Sequence, residues 1–389
     1  MELDLTWILL GLPAAFALGW IASRMDLRQM RMANRQAPRA YFKGLNYLLN
    51  EQQDQAIDAF IEAVQNDPDT SELHFALGNL FRRRGEYDRA VRVHEHLLSR
   101  ADISTADRQR AQHGLALDFL KAGLLDRAEE ALRKLEGTAY EGQARLARMA
   151  IYERSREWPE AFAMAQLLET SGEANFGIRM AHYRCEQARE AVQQGDMDKA
   201  MDLLTQTLRK QPEAPRPRIL LGQLQMNQGQ AQTAYATLVG LFERNDTAAP
   251  LAAASFVKAA QACGMLEAAR DVLQTHYLKQ PCIDVLDAIT ALDHALQADP
   301  ASLHSAASER YLNHLQKQPS LMAATRWLMG DREGSADLPA PVQKALEHAT
   351  KPLARYRCAA CGFEAKEHFW HCPGCQAWDS YPPRRVEEL

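Results

Sequence analysis

The chain carries none of the short signatures that mark the common catalytic sites. There is no Gly-x-Ser-x-Gly elbow, no phosphate-binding glycine-rich loop and no His-Glu-x-x-His helix. Its carboxylates are scattered along prospective helix faces, where solvated charge is the ordinary state. These absences point away from an enzyme and toward a binding or regulatory protein. A basic excess is missing too: 45 Lys and Arg against 50 Asp and Glu leave a formal charge of −5, so no bulk field draws nucleic acid. A disulfide framework is excluded by where the seven cysteines fall. Four crowd into the last tenth of the chain, while Cys185, Cys263 and Cys282 stand alone in apolar helical patterns and read as buried thiols.

What is abundant is Ala and Leu with modest Gly, a composition that favours helices, and 389 residues are enough for more than one domain. From Leu5 to Ser23 no residue is charged, and Trp7, Leu9, Leu10, Phe16, Leu18, Trp20 and Ile21 make this stretch long enough to cross a bilayer core of roughly 30 Å. Residues 1–23 are therefore expected to form a transmembrane anchor, with Trp7 and Trp20 at headgroup level. A cleaved signal peptide needs a basic segment before the apolar run. Here Glu2 and Asp4 precede it, and the basic residues follow it. Arg24, Arg28, Arg31 and Arg35, within a basic juxtamembrane segment over 24–36, put the long remainder on the cytoplasmic side and share one helix face that can meet anionic lipid, against the plainer reading that they only fix topology.

The middle of the chain repeats. Gly44, Tyr47, Ala56, Phe60 and Pro68 recur as Gly78, Phe81, Gly85 and Ala90, then as Ala116, Phe119, Gly123 and Ala128, and further copies are centred on Ala161, Ala200, Ala234 and Ala269. The offsets run close to the period of about 34 residues typical of tetratricopeptide repeats, and residues 37–282 resemble that family. Gly44, Gly78 and Gly222 let paired helices approach closely, and Gly85, Gly123, Gly195, Gly229 and Gly264 supply helix ends. A single hairpin cannot bury its apolar stripe, so the copies are expected to stack into a superhelix with a concave groove. Asn79, Arg82, Arg83, His113, Arg189 and Gln223 fall at positions that face the groove in this family and are candidates for partner contact, against the plainer reading of a solvated helix face. Residues 283–330 continue the helical period as degenerate repeats or a capping layer, and 331–355 read as a linker.

The tail holds the most specific chemical signal. Cys358-Ala-Ala-Cys361 and Cys372-Pro-Gly-Cys375 are separated by ten residues, and their four thiolates can close a tetrahedral site for one metal ion, iron or zinc. Gly362 and Gly374 are expected to supply the permissive backbone of the two turns. A module of about thirty residues needs the metal to fold. Four cysteines complete the shell, so His368 and His371 are read as surface or supporting residues. Phe363, Phe369, Trp370 and Trp378 are expected to dock the module on the last helices. The Cys-x-x-Cys-Gly-Phe opening and Cys-Pro-x-Cys closing over 356–382 resemble rubredoxin, with a shorter segment between the pairs and Gln376 where Gly usually follows. Residues 383–389 read as a tail.

The expected fold class is thus all-α: a tetratricopeptide-repeat superhelix with an N-terminal transmembrane helix and a small C-terminal rubredoxin-like metal knuckle of four cysteines. Anchor, basic segment, repeats and terminal knuckle, in that order, resemble the lipopolysaccharide assembly protein B family of Gram-negative bacteria. The resemblance implies a single-pass inner-membrane protein with a periplasmic N-terminus. It also implies an adaptor that promotes degradation of the committed-step lipid A deacetylase by a membrane AAA+ zinc metalloprotease, opposed by a further inner-membrane regulatory protein, and Cys358, Cys361, Cys372 and Cys375 as metal ligands. Two other classes stay open on the residues alone: a generic membrane-bound assembly scaffold or co-chaperone, and a rubredoxin-like redox component.

Overall fold

The computed structural model describes Phe16, Trp20 and residues 42–389, apart from 48, 67–69, 173, 245, 297–299 and 330–338. The expected anchor is thus described only at Phe16 and Trp20, which are helical and exposed. Arg24, Arg28, Arg31 and Arg35 lie outside the described residues. Among the described residues no helix is long and apolar enough to cross a membrane.

Two compact units follow, the first ending at Glu157 and the second running from Trp158 to Leu389. The first contains α1 (Gln53–Asn66), α2 (Ser71–Arg84), α3 (Tyr87–Ser99), α4 (Thr105–Ala122), α5 (Leu125–Arg133) and α6 (Glu141–Ser155). Leu73, Leu77, Leu80 and Phe81 recur at helical spacing in α2 and are all buried against Ala56, Ile57, Phe60 and Ala63 of α1. Ser104 caps α4 by accepting the Asp107 N–H at 3.0 Å. The second unit contains α7 (Trp158–Thr170), α8 (Gly177–Gln193), α9 (Met197–Lys210), α10 (Pro215–Asn227), α11 (Ala231–Glu243), α12 (Ala253–Cys263), α13 (Leu266–Lys279), α14 (Ile283–Leu296), α15 (Pro300–Lys317), α16 (Leu321–Met329) and α17 (Ala340–Thr350). Its largest core, built around Leu238, Leu241, Phe242, Phe256 and Leu273, runs continuously from α10 to α14.

The repeat glycines do two separate jobs. Gly85, Gly123, Gly195, Gly229 and Gly264 end their helices with φ between 75° and 83°, the left-handed region that a Cβ resists. In the α6 copy the same place is taken by Arg156, which holds φ 60° without the glycine. Gly78 and Gly222 are needed instead for close approach: a Cβ on Gly78 would lie 2.7 Å from the His94 ring, and one on Gly222 would lie 2.5 Å from Leu238 Cγ. His94 is a wedge between two glycines, because a Cβ on Gly114 would come within 2.6 Å of its Nε2. The buried ring is held by Asp118, 2.5 Å from Nδ1, and Asp118 in turn accepts from Arg82 at 2.8 Å.

Two segments differ from the sequence reading. The expected linker 331–355 contains α17, which carries Pro341 as its second residue. A proline in the first helical turn gives up an N–H that has no partner there anyway, so it starts this helix as readily as it would break a later turn. The residues read as a tail are bound to the helices, as described below. Cys185 and Cys282 are buried, and burial pushes both thiols up to about 12, whereas Cys263 is only half-buried.

Gly222→Ala is expected to destabilise the protein by about 1–3 kcal/mol, the overpacking cost outweighing the roughly 1 kcal/mol that Ala gains over Gly in helix propensity. A rise in the urea midpoint would refute the close-approach account. Arg156→Gly is expected to act the other way, stabilising by about 0.5–1 kcal/mol through relief of the left-handed conformation. The same denaturation series measures it, and a lowered midpoint would mean that the Arg156 side chain contributes more than its backbone costs.

Candidate metal centre

Beyond α17 the chain forms a two-residue antiparallel pair, β1 (Tyr356–Arg357) and β2 (Glu364–Ala365), whose turn carries the first two cysteines. Each Cys-x-x-Cys segment is a tight turn. Gly362 N–H donates to Cys358 O at 2.9 Å, and Gln376 N–H donates to Cys372 O at 2.8 Å. The residue after the second cysteine of each pair is left-handed: Gly362 at φ 77° and Gln376 at φ 60°. The expectation that Gly374 would supply this conformation is corrected. Gly374 does not adopt positive φ, because the turn closes two residues later, on Gln376.

The four Sγ atoms lie within 4.8 Å of one another, with Cys358 to Cys375 at 3.8 Å and Cys361 to Cys372 at 3.7 Å. These separations are far from a disulfide bond. A tetrahedral shell with metal–sulfur bonds of about 2.3 Å has edges of about 3.8 Å. The donor set therefore fits one zinc or iron ion held by Cys358, Cys361, Cys372 and Cys375. The electrostatics agree. Burial pushes the Cys358 thiol up, but the Ser380 hydroxyl and the backbone N–H groups of Cys361 and Ala360 outweigh it and bring the thiol to about 6. Cys361 accepts from the Phe363 N–H, yet its sulfur neighbours hold it at about 12. A second thiolate here meets the first, and a cation among them removes that repulsion. His368 and His371 serve the loops. His368 Nε2 lies 3.0 Å from Tyr381 O, and His371 stacks on Trp378 at 4.3 Å.

The module does not dock only on the last helices. Trp378 reaches α7 and α8, where it stacks on His182 at 5.0 Å and meets Trp158 and Tyr183 edge-on. Those two rings are buried, and together with His182 they offer the module an aromatic surface. His182 Nε2 lies 2.9 Å from the Asp379 carboxylate, and its Nδ1 faces Arg216 at 3.4 Å. Burial lowers the imidazole pKa, with Asp379 opposing, so the neutral ring donates to Asp379 through Nε2. Trp370 packs on the α10–α14 core, Phe369 belongs to the module's own interior, and Phe363 is exposed.

The expected tail closes the assembly. Arg385 makes a bidentate pair with Asp284 at 2.9 and 2.8 Å, and Glu388 accepts the Ile283 N–H at the start of α14 at 2.6 Å. Glu387 caps α16 by accepting from Ser320 Oγ at 2.7 Å and from the Leu321 and Met322 N–H groups. A carboxylate at a helix N-terminus satisfies donors that have no partner within the helix. Neither His182 nor these acids carried a signal in the sequence. Their partners are 65 to 197 positions away.

The candidate partner residues have mixed placements. In the first unit Arg82 is committed to Asp118, Gly114 O and Asn79, His113 stacks on Tyr140 at 4.8 Å, and Arg83 is exposed. In the second, Arg189 is exposed and pairs with Glu186 at 3.6 Å, and Gln223 lines a cleft beside the module.

Stacked helical hairpins ending in a docked four-cysteine knuckle define a repeat scaffold with a structural metal module. Family models agree: one described as a rubredoxin metal binding domain matches residues 356–382, and tetratricopeptide-repeat models match 73–109 and 191–255. Lipopolysaccharide assembly protein B of Escherichia coli K12 is 32% identical over 98% of both chains, and that of Haemophilus influenzae is 27% identical over 98% of both. The chain belongs to the lipopolysaccharide assembly protein B family. A solved tetratricopeptide repeat protein from Parabacteroides merdae covers 66% of this chain and 99% of its own, at 14% identity and a TM-score of 0.34.

Removing the metal with a chelator, or replacing Cys372 with Ser, is expected to unfold the knuckle, release Trp378 from α7 and α8, and lower the melting temperature by roughly 5–10 °C. Calorimetry with parallel tryptophan fluorescence reads both effects. An unmoved melting curve would show that the module folds and docks without its ion.

Proposed function

We propose that this chain is a membrane-tethered adaptor that regulates lipopolysaccharide synthesis. It is not itself an enzyme. In this reading the repeats bind protein partners while the N-terminal segment anchors them at the inner membrane, with the bulk of the chain facing the cytoplasm. The partners are a membrane AAA+ zinc metalloprotease and the deacetylase that commits precursor to lipid A, and the adaptor promotes degradation of the second by the first. Holding both at one surface raises their effective concentration without any new chemistry.

The observation that carries this reading is the match, over 98% of the chain, to relatives named for lipopolysaccharide assembly. The build of the molecule supports it. Its metal site has all four positions filled by cysteine, the closed shell of a structural ion, and offers no open position for a substrate.

Depleting the protein in its host is expected to lengthen the half-life of the lipid A deacetylase several-fold. A wild-type copy should restore rapid turnover, and a Cys372→Ser copy should not. Pulse-chase immunoblotting measures the half-life, and one that stays unchanged on depletion would overturn the adaptor reading.

A further inference from the structure

Within the second unit a cleft of about 800 Å³ runs between the repeat helices and the metal module. That volume lies inside the range of roughly 300–1,000 Å³ typical of ligand sites. Helices α10, α12 and α14 each present one face to it, at positions 216, 219, 220 and 223, then 254, 257, 258 and 261, then 284, 287, 288 and 291. The spacing i, i+3, i+4, i+7 is that of a single helix stripe, so three alternate helices turn corresponding faces into one groove. The far wall is the module, through Tyr356, Lys366, His368 and Trp370.

The chemistry of the lining is uneven. Ile219, Leu220 and Val257 give it an apolar floor. Gln223 and Gln261 place amide groups on α10 and α12; Gln223 Nε2 spends one N–H on Ser255 Oγ at 3.4 Å, which leaves its second N–H and its carbonyl oxygen for a ligand. Most of the charges are already used: Arg216 pairs with Glu186, Arg385 with Asp284, and Asp287 with Arg326. Lys258 on α12 and Lys366 on the module are exposed and form no ion pair among the described residues. Glu367, next to Lys366, is an acid of the lining in the same unpaired state, so the uncommitted charge of the cleft is positive.

We infer that this cleft binds an extended segment of a partner protein that carries aliphatic side chains and an acidic group. The aliphatic side chains sit on the Ile219, Leu220 and Val257 floor. The amides of Gln223 and Gln261 meet the backbone groups that an extended chain leaves unpaired. The carboxylate, from Asp, Glu or a chain end, meets Lys258 and Lys366, one from each wall. Because the module supplies one of the two cations, the site exists only while the knuckle is folded and docked. The inference rests on the adaptor reading only in taking the occupant to be a protein, and its test involves neither protease nor deacetylase, so the two can fail separately.

The probe is a random heptapeptide library displayed on phage and panned against the full, metal-loaded chain in detergent. An Ala254→Trp variant, which fills the cleft, and a Lys258→Glu/Lys366→Glu double variant are panned in parallel after melting curves confirm that both are folded. Wild-type protein is expected to enrich peptides that combine Leu, Ile or Val with Asp or Glu. The double variant should bind those peptides about tenfold or more weakly by fluorescence anisotropy and should itself enrich basic ones. Enrichment no greater than on Ala254→Trp, selected peptides without acidic residues, or affinities indifferent to the charge reversal would each overturn the proposal.

Discussion

Four sulfur atoms gathered within 4.8 Å cannot all be anionic without a cation among them, and the architecture of the second unit depends on that constraint. The module they fold has only a two-residue strand pair and a small interior of Tyr356, Tyr381 and Phe369. That is too little burial to hold the loops by itself. Once closed around the ion, the loop after Cys375 presents Trp378 and Asp379 together, one to an aromatic surface and the other to the His182 imidazole. Metal binding is thereby converted into a contact with helices nearly 200 positions earlier in the chain.

The repeats obey a different constraint, the distance at which two helices can pack. Gly78 and Gly222 are small for the same reason but meet unlike neighbours, an imidazole in one copy and a leucine in the other. His94 shows how a repeat tolerates a polar wedge: Asp118 of the following helix holds the ring, Arg82 of the preceding helix donates to Asp118, and the glycines on both sides make room for it. The repeat pattern is therefore kept by steric demand at a few places, while the buried chemistry differs from copy to copy.

What the sequence made legible was local. The repeat period, the glycine helix ends and the paired cysteines each declare themselves within a few dozen residues, and each has a backbone reason that a reader of residues can state. What it concealed was relational. Pro341 looked like linker because a proline both stops and starts helices, and only α17 itself decides between the two. Gly374 looked like the special backbone position of the second knuckle because it is the glycine there, whereas the turn places that demand on Gln376. Arg385, Glu387 and Glu388 looked like a solvated end because their partners lie on helices about 65 to 105 residues upstream.

Those last contacts also set an order of events during synthesis. Ile283 and Leu321 leave the ribosome long before the acids that will cap their helices, and at 5–20 residues per second a separation of 105 residues corresponds to roughly 5–20 s. Through that interval the N–H groups of Ile283, Leu321 and Met322 lack their carboxylate acceptors, although Ser320 Oγ already accepts from Ala323 N–H, and Asp284 has no guanidinium beside it. The C-terminal end of the repeat array is thus assembled backwards, its earlier helices waiting on its latest residues.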